Sequence, residues 1–366
     1  MDKKIAIILP RREGFSRETF GGAIGLCVRD NSLHSVFKKN ITIYGGTTKE
    51  SETYKNLNYK LVKINKKITD LSNSRAYART LVEILKKTKP DLIEIHNKPH
   101  IAAYIAKRLN IPICQYIHVD PYSFFNKFNE KLGRRKILKK SYHIFCVSEY
   151  VQKRLHHNLA SFTNSSVIHN GIDLKSLNNI DIKNKKNEII FVGRIIAEKG
   201  ALELAIALKN ILKKHPDWQA KFIGSLAKDK NYKDKFLEII KTTKNCHYLG
   251  NKEFAETIKE FKKAKIAALP SYCNEAFGRT ILEAILCKNA VITCNNGGIN
   301  EIAGNKVIYA KNHDIQDLEN KLEKLIMDQN LREKIIADSY SLAYSKFSII
   351  ETTKNLDKIR TKLLNH

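Results

Sequence analysis

Short apolar runs alternate with amphipathic stretches of helical period along the whole chain, the pattern left by parallel strands joined through crossover helices. In the first half, the runs 5–9, 41–44, 92–95, 113–118, 143–147 and 167–168 predict strands, and 76–87 and 101–109 predict helices. A polar passage rich in lysine and asparagine, 176–187, then breaks the rhythm as an interdomain linker would. The alternation restarts with predicted strands 188–192, 220–223, 247–249, 266–269, 290–293 and 307–309, and closes with helices over 314–328, 331–344 and 349–364. The second half repeats the first in kind, although no sequence repeat relates them. The expected fold is α/β, two Rossmann-like doubly wound domains at 1–172 and 188–344 with a linker at 173–187 and a C-terminal helix, 345–366, packing back towards the first domain. Two such halves facing one another form a cleft lined by the carboxyl ends of both sheets, where folds of this kind bind ligands. Chemistry is therefore expected just after strands.

Composition agrees with two ordered domains: 366 residues, 43% hydrophobic, with 7 prolines and 16 glycines. The apolar run after Lys4 ends at Pro10, Arg11 and Arg12, too short for a secretion signal or for the ~20 residues of a membrane helix. The expectation is a cytoplasmic protein, or one held at the inner face of the cytoplasmic membrane from one side. Seven scattered cysteines, odd in number and without a C-x-x-C pair, predict buried free thiols in a reducing compartment and no zinc site. The net charge of +28 attracts phosphates, whether in nucleic acid, anionic lipid or acidic glycan. A genome-wide bias towards Lys, Asn and Ile accounts for it equally well.

Two strand ends carry the chemistry. After the run 189–192 comes Gly193-Arg194, then Glu198-Lys199-Gly200 and a helix from about Ala201. Arg194 and Lys199 are thereby set beside a helix N-terminus, a favourable place for a diphosphate. After 266–269 comes Glu275-Ala276-Phe277-Gly278-Arg279-Thr280, opening a second helix that contains Glu283. Glycine permits close backbone approach there, and the first N–H groups can point at an anion. The two carboxylates can accept hydrogen bonds from hydroxyls on different parts of one ligand, such as a sugar and a ribose. Glu283 lies among Ile281, Leu282, Ala284, Ile285 and Leu286, so its charge requires a partner.

At these residues the sequence resembles glycosyltransferase family 4, of the GT-B fold. The resemblance rests on E-x7-E at Glu275 and Glu283 and on Gly-Arg-x4-Lys-Gly at 193–200, and continues through Asp91 to His96, Val147-Ser148-Glu149, Asn170-Gly171 and Gly297-Gly298 to Glu301. It implies that Arg194 and Lys199 bind the pyrophosphate of a nucleotide diphosphate sugar, that Glu275 and the backbone at Phe277 and Gly278, beside Arg279, hold the transferred sugar, and that Glu283 holds the ribose. It further implies that Gly22, of the pair Gly21-Gly22, approaches the donor phosphate, and that His118 lies near the anomeric carbon. The loop from Arg11 to Ser16 before that pair is longer than the family pattern. UDP-glucose, UDP-N-acetylglucosamine and GDP-mannose all suit the motifs. No Asp-x-Asp occurs, so diphosphate neutralisation is expected without a metal, and family membership implies retention of anomeric configuration by front-face substitution. His96 and His100 are four apart, but no third metal ligand is evident.

The acceptor is expected in the first domain. Aromatic and basic residues mix over 122–140, with Arg134, Arg135, Lys136, Lys139 and Lys140 clustered. Both an anionic membrane surface and an ordinary solvated helix fit that composition. The opening residues and the Phe-Gly-Arg-Thr form of the second motif look most like bacterial enzymes of lipopolysaccharide core or related surface glycans, which suggests an acidic glycan or glycolipid acceptor. A nucleotide-sugar epimerase is the rival on the same fold. A phosphorylase would need a pyridoxal-phosphate lysine and a longer chain. A nucleic-acid-binding protein would lack any recognisable recognition motif.

Overall fold

The computed structural model describes residues 3–16, 22–68, 70, 72–121, 141–158, 164–177 and 180–365, the side chains of 158, 175 and 176 excepted. The chain divides into two compact units, Met1–Ile172 with Ile349–His366, and Asp173–Ser348.

The first unit holds seven parallel strands: β1 (Ile5–Ile8), β2 (Ile41–Gly45), β3 (Asn58–Leu61), β4 (Leu92–His96), β5 (Ile113–Ile117), β6 (His143–Cys146) and β7 (Ser165–Val167), in the order β3-β2-β1-β4-β5-β6-β7. β1, β4 and β5 are buried throughout, as expected of β-branched runs covered on both faces. Helix Asn73–Thr88 illustrates how the flanking layer is specified. Ser72 caps it by accepting from the Arg75 amide at 3.2 Å, Ala76, Tyr77, Leu81, Val82 and Leu85 form its buried stripe, and Lys89 ends it in a left-handed turn before Pro90. Strand β3 escapes a hydrophobic-run reading because three of its four residues are at least partly exposed. Its anchor is Tyr59, stacked on Phe15 at 5.3 Å.

The C-terminal helix Ile349–Asn365 contributes to this same unit. Its Arg360 is buried and donates to both carboxylate oxygens of Glu94 on β4 at 2.8 Å, and to Asp357 at 3.1 Å. Burial opposes the guanidinium charge, but the two carboxylates outweigh it and raise the Arg360 pKa.

The second unit holds β8 (Lys186–Val192), β9 (Gln219–Ile223), β10 (Cys246–Tyr248), β11 (Ala264–Leu269), β12 (Ala290–Thr293) and β13 (Ile308–Tyr309), parallel and ordered β10-β9-β8-β11-β12-β13. The passage read as a linker is packed onto this unit. Ile180 is buried, and the buried Lys185 ammonium donates to the carbonyls of Phe261, Lys262 and Ala264 at 3.1, 3.2 and 2.8 Å, closing the C-terminus of helix Phe254–Lys263. Burial pushes its pKa down to about 7. A lysine-rich string looks solvated until the carbonyls that accept from it are known.

All seven cysteines are free, and six are buried. Among the described residues no helix is long and apolar enough to cross a membrane.

Candidate functional site

In each sheet the strand order reverses between two neighbours, β1 and β4 in the first and β8 and β11 in the second. Loops leaving the carboxyl ends of such a pair diverge and leave a crevice. Arg194 and Lys199 follow β8, and Glu275 to Arg279 follow β11.

In the second unit the two loops are stitched together. The amides of Tyr272 and Cys273 donate to the Glu198 carbonyl at 2.8 and 3.1 Å. This brings the Lys199 ammonium onto the Glu275 carboxylate, where the Ser271 hydroxyl also donates at 2.7 Å. Both charged side chains are 20% exposed. A third segment fixes the backbone: the Gly298 amide donates to the Glu275 carbonyl at 2.7 Å, and Gly297, at φ 70°, passes so close that a Cβ there would lie 2.2 Å from the same oxygen. Glu275 is thus held by three loops and pre-positioned.

Phe277 is buried and packs edge-on against Phe347, ring centroids 5.5 Å apart, which anchors the turn at Gly278 (φ 95°) that opens helix Arg279–Leu286. One turn into this helix, Glu283 accepts from Arg279 Nε at 2.9 Å, with both side chains buried. Arg279 supplies the partner that a carboxylate in this apolar company requires. Arg194 is exposed.

In the first unit, Gly22 caps helix Ala23–His34, and Gly21 lies outside the described residues, as does 122–140. The Glu13 carboxylate sits over this helix start and accepts from the Gly25 amide at 2.9 Å. Burial raises its pKa, while the amides of Gly25 and Ile24 and the charge of Lys98 act the other way. The helix end expected to meet a donor phosphate is therefore already covered by an internal carboxyl group, supplied by the longer loop noted in the sequence. His118 follows β5 and is half-buried; its Nε2 lies 2.8 Å from Nδ1 of His96, the last residue of β4, and its amide donates to Asn97 Oδ1 at 2.8 Å. Sequence reasoning placed His96 at the end of a family strand motif and weighed it as a metal ligand, without pairing it with His118. Among the described residues no group of three or more His, Cys, Asp or Glu could hold a metal ion. Ser271 was also missed, although its place four residues before Glu275 was a readable signal.

Two parallel α/β sheets of this order are the architecture of the GT-B fold, shared with the solved structures below. The family comparisons carry this further: the model for Glycosyltransferase Family 4 matches residues 41–176, and that for Glycosyl transferases group 1 matches 175–341. The chain belongs to glycosyltransferase family 4 and is a glycosyltransferase. It is 24% identical over 335 residues to the capsular polysaccharide biosynthesis glycosyltransferase CapM of Staphylococcus aureus, covering 85% of this chain and 87% of that one. It is 29% identical over 199 residues to the D-inositol 3-phosphate glycosyltransferase of Corynebacterium jeikeium, over 52% and 46% of the respective lengths. Among solved structures, Anabaena HepE in complex with UDP and glucose superposes with a TM-score of 0.81 at 16% identity, over 98% of this chain and 99% of that one. A glycosyltransferase from Rickettsia africae gives 0.78 at 20% identity, over 100% and 99%.

Proposed function

We propose that this chain transfers a hexose or N-acetylhexosamine from a nucleoside diphosphate sugar to a lipopolysaccharide-core or other surface-glycan or lipid-linked acceptor, with retention of configuration and without a metal. The observation that carries the reading is the convergence of Lys199 and Ser271 on Glu275 at the start of helix Arg279–Leu286. Without ligand, Lys199 and Glu275 satisfy one another. A donor separates their tasks: Lys199 and Arg194 take the pyrophosphate, while Glu275 accepts from sugar hydroxyls beside the backbone of Phe277 and Gly278. Glu283, oriented by Arg279, accepts from the ribose, and His118 hydrogen-bonds a sugar hydroxyl.

In the reaction the bond from the anomeric carbon to the phosphate oxygen breaks, and a bond to the acceptor oxygen forms on the same face. The acceptor's proton passes to the leaving phosphate oxygen. Negative charge grows on the pyrophosphate as this happens, and two cations and a helix N-terminus stabilise that charge most where water is excluded. The capsular polysaccharide relative supports a surface-glycan acceptor. The UDP and glucose in the HepE structure make UDP-glucose the first donor to try.

The test is a panel of UDP-glucose, UDP-N-acetylglucosamine and GDP-mannose, read by thermal stabilisation and by hydrolysis, with and without chelator. One donor should stabilise and turn over, and chelator should leave the rate unchanged. Stabilisation by RNA with none by UDP or GDP would overturn the reading. Attachment to the cytoplasmic face of the membrane through 122–140 is part of the proposal. Vesicle binding unchanged after Arg134, Arg135, Lys136, Lys139 and Lys140 are replaced by glutamine would remove it.

A further inference from the structure

We propose that His96 is a positioning residue for His118: His96 Nδ1 donates a hydrogen bond to His118 Nε2 and holds that ring in the tautomer whose proton is on Nδ1. The inference deepens the role given to His118 in the proposed function and rests on it.

Strand register creates the pair. On adjacent parallel strands His96 is opposite Tyr116, so His118, two residues further on, lies on the same face of the sheet as that pair. The three rings stack, with centroids 4.9 Å apart for His96 and Tyr116, 4.7 Å for Tyr116 and His118, and 5.0 Å for the two histidines. Asn97, in a left-handed turn at φ 53°, holds the His118 amide through its side-chain oxygen. The two imidazoles are therefore fixed from the sheet, from the stack and from the turn. At 2.8 Å their facing nitrogens must share one proton.

His96 determines which ring owns that proton. It is 2% exposed, and burial first, then the nearby Arg360 charge, push its pKa down to about 3. It is therefore neutral near pH 7 and has one N–H. Its Nε2 atom is buried with no hydrogen-bond partner. A proton there would leave an orphaned N–H, which folded proteins avoid more strictly than an orphaned acceptor. The proton belongs on Nδ1, pointing at His118. With its Nε2 acting as acceptor, the His118 ring has its one proton on Nδ1, which makes that atom the donor. A buried partner that sets the tautomer of a site histidine controls its chemistry without touching substrate.

The full chain labelled with 15N-histidine decides this by two-bond proton–nitrogen spectra, with His118 identified by the loss of its signals in His118→Phe. The wild type should show His118 Nε2 free of a proton and Nδ1 carrying one. His96→Asn, whose amide nitrogen stands near the former Nδ1, should keep that signature, and His96→Phe should replace it with exchanging tautomers. With the donor selected above, His96→Phe should lower kcat about 10–100-fold with KM changed less than about twofold, and His96→Asn should restore most of the rate. A proton on His118 Nε2 in the wild type would overturn the proposal. So would unchanged His118 signals in a cooperatively melting His96→Phe. If no nucleotide sugar is turned over, the proposed function fails, and the spectra still judge the histidine pair on their own.

Discussion

The chain contains two ion pairs of contrasting construction, Arg360 with Glu94 in the first unit and Lys199 with Glu275 in the second. Arg360 and Glu94 are each 1% exposed, joined by two parallel hydrogen bonds, with Asp357 and Ser35 taking up further donors. Every strong contact is internal, so the pair can only fasten the last helix to its sheet. Lys199 and Glu275 are both partly solvated, meet through one carboxylate oxygen, and belong to loops at a switch point. A partly exposed pair of this kind contributes less to stability than a fully buried network, and under the proposed function each partner is given up to a ligand. Saturation fits a structural pair, and exchangeability fits the ligand-binding role proposed for Lys199 and Glu275.

The comparison breaks most visibly in activity. Glu275→Gln or Lys199→Ala should lower transfer by about 10²–10³-fold, while the melting temperature moves by no more than about 2 °C. Steady-state rates and thermal melts of the same preparations check both halves. Arg360→Ala should do the reverse, leaving two buried carboxylates uncompensated at a cost of about 3–5 kcal/mol. This loss should appear in denaturant unfolding, with nucleotide affinity of the folded fraction unchanged.

A third outcome concerns acid. His96 has an ordinary pKa of 6.5 when unfolded and about 3 when folded, so the unfolded chain binds the extra proton across that interval. The contribution is complete above pH 6.5 and is lost as pH falls towards 3, at most about 1.4 kcal/mol per pH unit. The group is enclosed by Tyr116, His118 and Arg360. Stability measured against pH should fall more steeply in the wild type than in His96→Asn, and parallel curves would refute the assignment. The smallest effect is Ser271→Ala, which removes one hydrogen bond from Glu275 and should cost about 1–2 kcal/mol of transition-state stabilisation, seen as a modest loss in kcat/KM.

Most strands and the three closing helices were legible because burial on both faces writes continuous apolar runs and burial on one helix face writes a 3.6-residue stripe. Strand β3 was not legible, since an edge strand with one anchored aromatic writes neither. Within the candidate site, Glu275, Gly278 and Glu283 drew attention through their spacing around one helix start. The resemblance set Arg279 beside the sugar-binding backbone, and the structure adds its hydrogen bond to Glu283. The loop before Gly22 registered as an insertion, but nothing in its spacing indicated that Glu13 would lie over the next helix.

Local periodicity and the order of motifs along the chain determined the α/β class, the two repeated halves and the residues that point to a nucleotide sugar, because each depends on neighbours a few positions away. The pairings that give those residues their states depend on strand order. Lys199 meets Glu275 across 76 residues, His96 meets His118 across 22, and Arg360 meets Glu94 across 266. Hydrogen-bond partners are selected by which strand ends become adjacent once the sheets have closed, and no local pattern encodes that adjacency. Only the tertiary structure could decide that the candidate sugar-binding carboxylate is held by a lysine and a serine, and that the candidate site histidine is backed by a second, buried one.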